Sequence, residues 1–261
     1  MDLGLKGKTA LVLGAGGGLG GAIARSLGAE GAAIAVADID RAAAENVSNA
    51  INQGGGRSMP LTWDLGDLSV VDDNVAAIEE MLGSVDVLVS VTGGPPPGAI
   101  VGQSLETWRK FFDSMVLSVM AITDRVVPGM KERGWGRVIT STSSGVVAPI
   151  PNLGLSNALR SSLVGWSKTL AGELGPHGIT ANIVMPGRIA TKRIAFLDEK
   201  KAAREGRNVD DVSRESIASI PLGRYGDPCE YGDTVAFLAS TRASYITGSC
   251  IRVDGGYIAN I

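Results

Sequence analysis

The stretch Thr9-Ala-Leu-Val-Leu-Gly-Ala-Gly-Gly-Gly-Leu-Gly-Gly-Ala-Ile-Ala24 decides the fold. Ala10 to Leu13 form an apolar run of the length of a buried strand. Gly14, Gly16, Gly17, Gly18, Gly20 and Gly21 make a turn, with Leu19 inside it, and Ala22, Ile23, Ala24 and Leu27 open a helical face. A turn without side chains lets backbone N–H groups approach a pyrophosphate, and the helix N-terminus behind it favours negative charge. Two spacings fit these glycines. Gly14, Gly18 and Gly20 fit G-x-x-x-G-x-G, whereas Gly16, Gly18 and Gly21 fit G-x-G-x-x-G. A flexible turn would carry the same glycines. What favours a nucleotide is the sequel: a second apolar run, Ala32 to Ala37, ends in Asp38. An acidic residue about 20 positions past the glycines is what holds an adenosine ribose.

The bulk of the chain bounds the alternatives. Its 261 residues suit one large α/β domain or two small ones, and 44% hydrophobic residues suffice for a buried core. A net charge of −3 with no evident basic face argues against a nucleic-acid partner. Cys229 and Cys250 have neither metal-ligand spacing nor the look of a disulfide framework, so no metal is expected and free thiols in a reducing cytoplasm are the simplest account. No apolar run reaches eighteen residues and the N-terminus lacks the apolar core of a signal peptide, so the expectation is a cytoplasmic protein with no membrane partner.

Strand and helix patterns alternate from end to end, which predicts an α/β fold: a single doubly wound domain over 1–261, its sheet mostly parallel, helices on both faces. Further strands are expected near 58–63, 85–91, 137–143, 180–185 and 249–253, for seven in all. Helices are expected over 40–53, 67–82, 105–133, 153–174 and 228–238, with Pro128 kinking or ending the regular part of the third. Pro95-Pro96-Pro97 stiffens the loop after the fourth strand into a pocket wall. Residues 191–216 are charged and poorly periodic and read as a lid or substrate insert. Arg188, Lys192 and Arg193 lie just past Pro186-Gly187. Such a stretch is ordinarily a solvated face; the alternative is contact with an anionic substrate.

These motifs together identify a resemblance to the short-chain dehydrogenase/reductases, close to 3-oxoacyl-(acyl carrier protein) reductases. The resemblance spans nearly the whole chain and implies a Rossmann-type fold. Gly14, Gly18 and Gly20 match the family's cofactor turn, and Asp64-Leu65 its adenine-contacting pair. Ser90-Val91-Thr92-Gly93 stands where the family has Asn-Asn-Ala-Gly. Pro186-Gly187-Arg-Ile189-Ala-Thr191 matches the motif that holds the nicotinamide amide, and Pro221-Leu-Gly-Arg-Tyr-Gly226, Ile246-Thr-Gly248 and Val253-Asp-Gly-Gly256 match C-terminal signatures. The implied cofactor is a nicotinamide dinucleotide. Asp38 favours NAD(H), because a carboxylate accepts both ribose hydroxyls and repels a 2′-phosphate; Arg41 leaves room for NADP(H). A homotetramer is also implied.

The family's chemistry rests on Asn, Ser, Tyr and Lys, and here the pattern departs. Ser143 falls in the serine's place. Registered on Gly165, Ser156 stands where the tyrosine belongs, thirteen residues past Ser143, and Arg160 where the lysine belongs. Met115 takes the asparagine's place and reads as packing. None of Tyr225, Tyr231, Tyr245 and Tyr257 has a lysine four residues on. A serine hydroxyl is a weaker and shorter acid than a phenol, and arginine keeps its proton at neutral pH. General acid–base help is worth about 3–5.5 kcal/mol of the 8–23 kcal/mol that enzymes supply, so its loss need not abolish hydride transfer. The expectation is therefore an NAD(H)-dependent oxidoreductase acting on a small carbonyl/alcohol or acyl compound. Ser143 orients the oxygen, Arg160 binds ribose and stabilises negative charge, and Ser156 lines the pocket or holds a water. One alternative is a non-catalytic dinucleotide-binding homologue serving as sensor or oligomer partner. Another is non-redox chemistry of the halohydrin dehalogenase kind, in a family that resembles this one and uses Ser-Tyr-Arg. His177, in Gly175-Pro-His-Gly178, reads as a surface residue. The Trp135–Trp166 and Phe111–Phe112 pairs read as core or subunit contacts.

Overall fold

A computed structural model describes residues 2–260. Seven strands form one sheet in the order β3-β2-β1-β4-β5-β6-β7: β1 Thr9–Leu13, β2 Ala33–Asp38, β3 Arg57–Thr62, β4 Val87–Val91, β5 Gly136–Ser141, β6 Ile179–Pro186 and β7 Cys250–Val253. Every adjacent pair is parallel, so the sheet is wholly rather than mostly parallel. The inner strands read as near-continuous apolar runs because both faces are covered.

On one face, α1 Gly18–Ala29, α2 Arg41–Gln53 and α9 Pro228–Ala239 bury Ile23, Leu27, Val47, Val235 and Leu238 against Val12, Ile34 and Ile139. On the other, α3 Val71–Leu82, α5 Ser118–Glu132 and α6 Gly154–Leu174 bury Val75, Ile78, Ile122, Met130 and Leu174 against Leu11, Leu88 and Val138. The strand order reverses direction between β1 and β4, and the crevice at their carboxyl ends is where ligands bind in such sheets.

Several local expectations need correction. The helix expected over 105–133 is three pieces: α4 Leu105–Phe112, a π-helical turn Asp113–Leu117, and α5. Pro128 lies inside α5, and the irregularity falls instead at the π turn, which carries buried Met115. Strand β5 stops at Ser141, short of Ser143, because Ser143 turns to cap a 3₁₀ turn over Ser144–Val146. The charged segment 191–216 folds as two helices, α7 Lys192–Glu205 and α8 Val209–Ala218, whose N-caps are Thr191 and Asn208. Trp135 is not paired with Trp166. It is sandwiched between Lys8 and Arg137, at 4.1 and 4.4 Å from its ring centre, while Trp166 packs by Met115. Phe111 joins that same cluster, and Phe112 is exposed. His177 is exposed in a 3₁₀ turn before β6.

Candidate active site

The site begins with the glycine turn. Gly14 has φ +63°, and a Cβ there would lie 2.2 Å from the Val91 carbonyl oxygen of β4. A Cβ on Gly20 would lie 2.1 Å from the Gly14 carbonyl oxygen. Backbone approaches this close admit only glycine, and they draw α1 tight against the ends of β1 and β4. Above Gly17 and Gly93 nothing lies within 4 Å of where a side chain would stand. Helix α1 starts with no side-chain cap, so its first N–H groups remain for an anion.

Asp38, at the end of β2, accepts the Gly16 N–H through Oδ2 at 2.8 Å and the Asp40 N–H through Oδ1 at 3.0 Å. Its carboxylate is thereby fixed beside the turn. Arg41 points elsewhere, paired with Glu45 at 2.8 Å. Asp64 and Leu65 follow β3 and line a pocket of about 390 Å³ with Asp38, Trp63 and Phe111. Trp63 is buried, and its indole N–H has no partner among the described residues.

This pocket shares Gly14, Asp38, Thr92 and Gly93 with a cleft of about 800 Å³ running along the carboxyl edge of the sheet. The cleft is lined by Gly16, Gly17, Gly18, Leu19 and Gly20 at one end and by Ser143, Ser156 and Arg160 further along. Pro186, Gly187, Ile189 and Thr191 close its side. Gly187 is needed for that closure, since a Cβ there would meet Asp254 at 2.6 Å. The two spaces thus bring together every residue that the sequence singles out for chemistry or cofactor contact. The glycine cradle, the fixed carboxylate and the unpartnered Trp63 N–H fit a dinucleotide. Such a cofactor would lie from Asp64 and Asp38 through Gly17 to Thr191.

Ser143 accepts the Gly145 N–H at 3.0 Å, which leaves its own hydroxyl proton free to donate into the cleft. Ser156 and Arg160 are one turn apart on α6, and Arg160 Nε donates to Ser156 Oγ at 3.3 Å. Arg160 Nη1 donates to Thr92 Oγ1 at 3.3 Å and the Ser141 carbonyl at 3.4 Å. Its Nη2 donates to the Thr92 and Gly93 carbonyls at 3.2 and 2.8 Å. All five guanidinium N–H groups thus have acceptors in the chain. No carboxylate stands beside it, and burial first, then the charge of Arg193, lower its pKa to about 10, with Tyr231 opposing.

Three residues escape sequence reasoning. Tyr231 on α9 is fully buried behind β5. Its hydroxyl sits 2.7 Å from Ser141 Oγ and donates to the Val184 carbonyl at 3.1 Å; burial drives its pKa upward. Tyr257, near the chain end, lines the cleft, and no local motif marks it. Asp198 of α7 is buried where the sequence shows only charge, and accepts from Arg188 and Tyr225, each at 2.6 Å. Arg188, Lys192 and Arg193 all line the cleft, and Lys192 and Arg193 remain exposed there.

The family model described as enoyl-(acyl carrier protein) reductase matches residues 14–258. The 3-oxoacyl-[acyl-carrier-protein] reductase of Escherichia coli is 35% identical over 254 residues, covering 96% of this chain and 97% of that one. The crystal structure of L-sorbose reductase from Gluconobacter frateurii, complexed with NADPH and L-sorbose, superposes with a TM-score of 0.94 at 28% identity, covering all of both chains. A 7α-hydroxysteroid dehydrogenase complexed with NADH superposes at 0.88 and 27% identity, over 99% of this chain and 97% of that one. With the sheet order, the glycine cradle and these full-length likenesses in agreement, the chain belongs to the short-chain dehydrogenase/reductase family of oxidoreductases.

Proposed function

We propose that the protein is an NAD(H)-dependent oxidoreductase acting on a carbonyl/alcohol pair with a non-standard set of proton-handling residues. The carrying observation is one continuous groove with Asp38 fixed at its nucleotide end and the free hydroxyl of Ser143 at the other. The dinucleotide, when bound, supplies or accepts a hydride. Gly17, Gly18 and the first turn of α1 hold its phosphates, Asp64 and Leu65 flank its adenine, and Pro186, Gly187, Ile189 and Thr191 flank its nicotinamide. Asp38 takes the ribose hydroxyls. A 2′-phosphate would meet this carboxylate with no cation in the glycine turn to offset it, so NADH is preferred over NADPH.

Ser143 donates its hydroxyl to the substrate oxygen. Arg160 sets a positive field beneath that oxygen, and its long bonds to Ser156 and Thr92 Oγ1 are the ones a ribose hydroxyl would replace. Ser156 holds the water that passes the proton. The segment 191–216 closes over the substrate as a lid. Purified protein is expected to oxidise NADH with some member of a carbonyl panel, and Ser143→Ala is expected to lower kcat/KM by roughly 10²-fold. Absence of turnover with both dinucleotides across carbonyls and alcohols rejects the proposal.

One observation favours the non-catalytic alternative: every N–H of Arg160 is already satisfied within the chain. In that case NADH binds by calorimetry without turnover, and Ser143→Ala leaves the affinity unchanged.

A further inference from the structure

The charges around the cleft are unevenly placed. Its two carboxylates, Asp38 and Asp40, stand at the nucleotide end, and the α7 side is basic. Three of the basic groups there are matched: Arg188 with Asp198, Lys201 with Glu215, and Arg204 with Glu205. Lys192, Arg193 and Lys200 have no carboxylate within ion-pair distance among the described residues. Lys192 follows Thr191, whose methyl carbon lies 3.7 Å from where a Gly18 side chain would stand, and lines the cleft. Arg193 is turned the other way. It reaches across the cleft mouth and donates from Nη2 to the Pro95 carbonyl at 2.9 Å. That uses one of its five N–H groups, and the others have no acceptor among the described residues.

Arg160 meets it there. A carbon placed on Gly94 would lie 3.5 Å from Nη2 of Arg160 and 3.5 Å from Nη2 of Arg193. Two guanidiniums flanking one glycine repel each other, and no carboxylate pairs with either among the described residues. Arg160 has spent its donors; Arg193 has not. A negatively charged guest beside Gly94 would relieve the repulsion and take the free donors of Arg193 in a forked pair.

We infer that the substrate of this cleft carries an anionic group, a carboxylate or a phosphate, which Arg193 binds beside Gly94 with the Arg160 charge behind it. The inference rests on the carbonyl/alcohol reading and names the substrate class within it. The substrate is a keto acid or keto phosphate (or its alcohol). Arg193 acts through binding, not through the proton or hydride.

Matched pairs of probes test this: acetoacetate against methyl acetoacetate, and dihydroxyacetone phosphate against dihydroxyacetone. Each is measured for kcat/KM with NADH and, by calorimetry, for binding to the NADH-loaded protein. At least one anionic member is expected to exceed its neutral partner by about tenfold or more, the scale of a charged hydrogen bond. Which pair shows the preference tells carboxylate from phosphate. Arg193→Gln collapses that ratio, mainly through KM, and Arg193→Lys restores part of it. Arg193 is exposed, so neither variant endangers the fold. If no probe turns over, the oxidoreductase reading is what suffers, and the calorimetric ratios still decide the anion subsite. Equal ratios for neutral and anionic members, no anion bound at millimolar concentration, or a preference that survives Arg193→Gln overturns the inference.

Discussion

Arg160 sits in the cleft as a buried cation neutralised by carbonyl and hydroxyl dipoles alone. Its pKa is lowered to about 10, with burial the first cause. Because the folded value is the lower one, the penalty for burying the charge is present in full below about pH 10 and is relieved only as pH rises beyond it. Between pH 7 and 9 this residue adds no slope to stability or activity. A lysine has an ordinary pKa of about 10.4, and the same burial would lower it, towards the neutral range. Arg160→Lys is therefore expected to show kcat/KM or NADH affinity falling between pH 7 and 9 where the parent protein is flat. A flat variant would mean that burial does not set the charge of this site. Ser143, Ser156 and Arg160 were singled out by registering the chain on the motif of the family it resembles. Their partners were not, because Thr92 and Gly93 just past β4 and Ser141 at the end of β5 meet α6 only in three dimensions.

At the scale of elements, the glycine turn and α7 behave differently. In the turn, Gly20→Ala drives a Cβ into the Gly14 carbonyl and lifts α1 from β1. Overpacking of this kind costs about 1–3 kcal/mol. A lower Tm with at least tenfold weaker NADH binding is expected; unchanged affinity would detach the turn from the cofactor. Helix α7 is tied to three neighbouring segments through one buried carboxylate, Asp198. Asp198 takes hydrogen bonds from Arg188, Tyr225 and, at 3.4 Å, Ser213, which ties α7 to the segment after β6, to α8 and to the loop before α9. Asp198→Asn leaves Arg188 without its counter-charge, and breaking a buried pair costs about 3–5 kcal/mol. Arg188 is partly exposed, so the lower end is expected. Faster amide exchange confined to α7 and α8 is the signature; uniform loosening of the sheet would contradict it. The glycine turn was readable because its rule is local. Asp198 was unreadable, since one acid among many charges gives no sign of being the buried one.

For the molecule as a whole, the nucleotide groove draws on both halves of the sheet, from Asp38 and Asp64 beside β2 and β3 to Thr191 beyond β6. A ligand spanning both halves stabilises only the folded chain. NADH at a hundred times its Kd is expected to add about 2.7 kcal/mol, read as a rise in Tm that NADPH fails to match at equal concentration. Equal shifts from both would remove the Asp38 argument. The homotetramer implied by the family resemblance stays a proposal, and light scattering at four times the chain mass would support it. Leu105 and Phe112 on α4 and Tyr245 are exposed apolar groups available to such an assembly.

The alternation of apolar runs and amphipathic stretches marked the seven strands and most of the helices packed on them, because burial on both faces of a parallel sheet imposes that pattern; it missed α7 and α8 and the π turn before α5. Local spacing marked the glycine turn, and resemblance to a family's motif marked the three polar positions proposed for chemistry. Tertiary structure alone decided how the charges are spent. It matched Arg188 to Asp198, saturated Arg160 with backbone carbonyls, and left Arg193 with free donors beside it. Electrostatic pairing depends on distances across the fold, and those distances exist only once the strands have met.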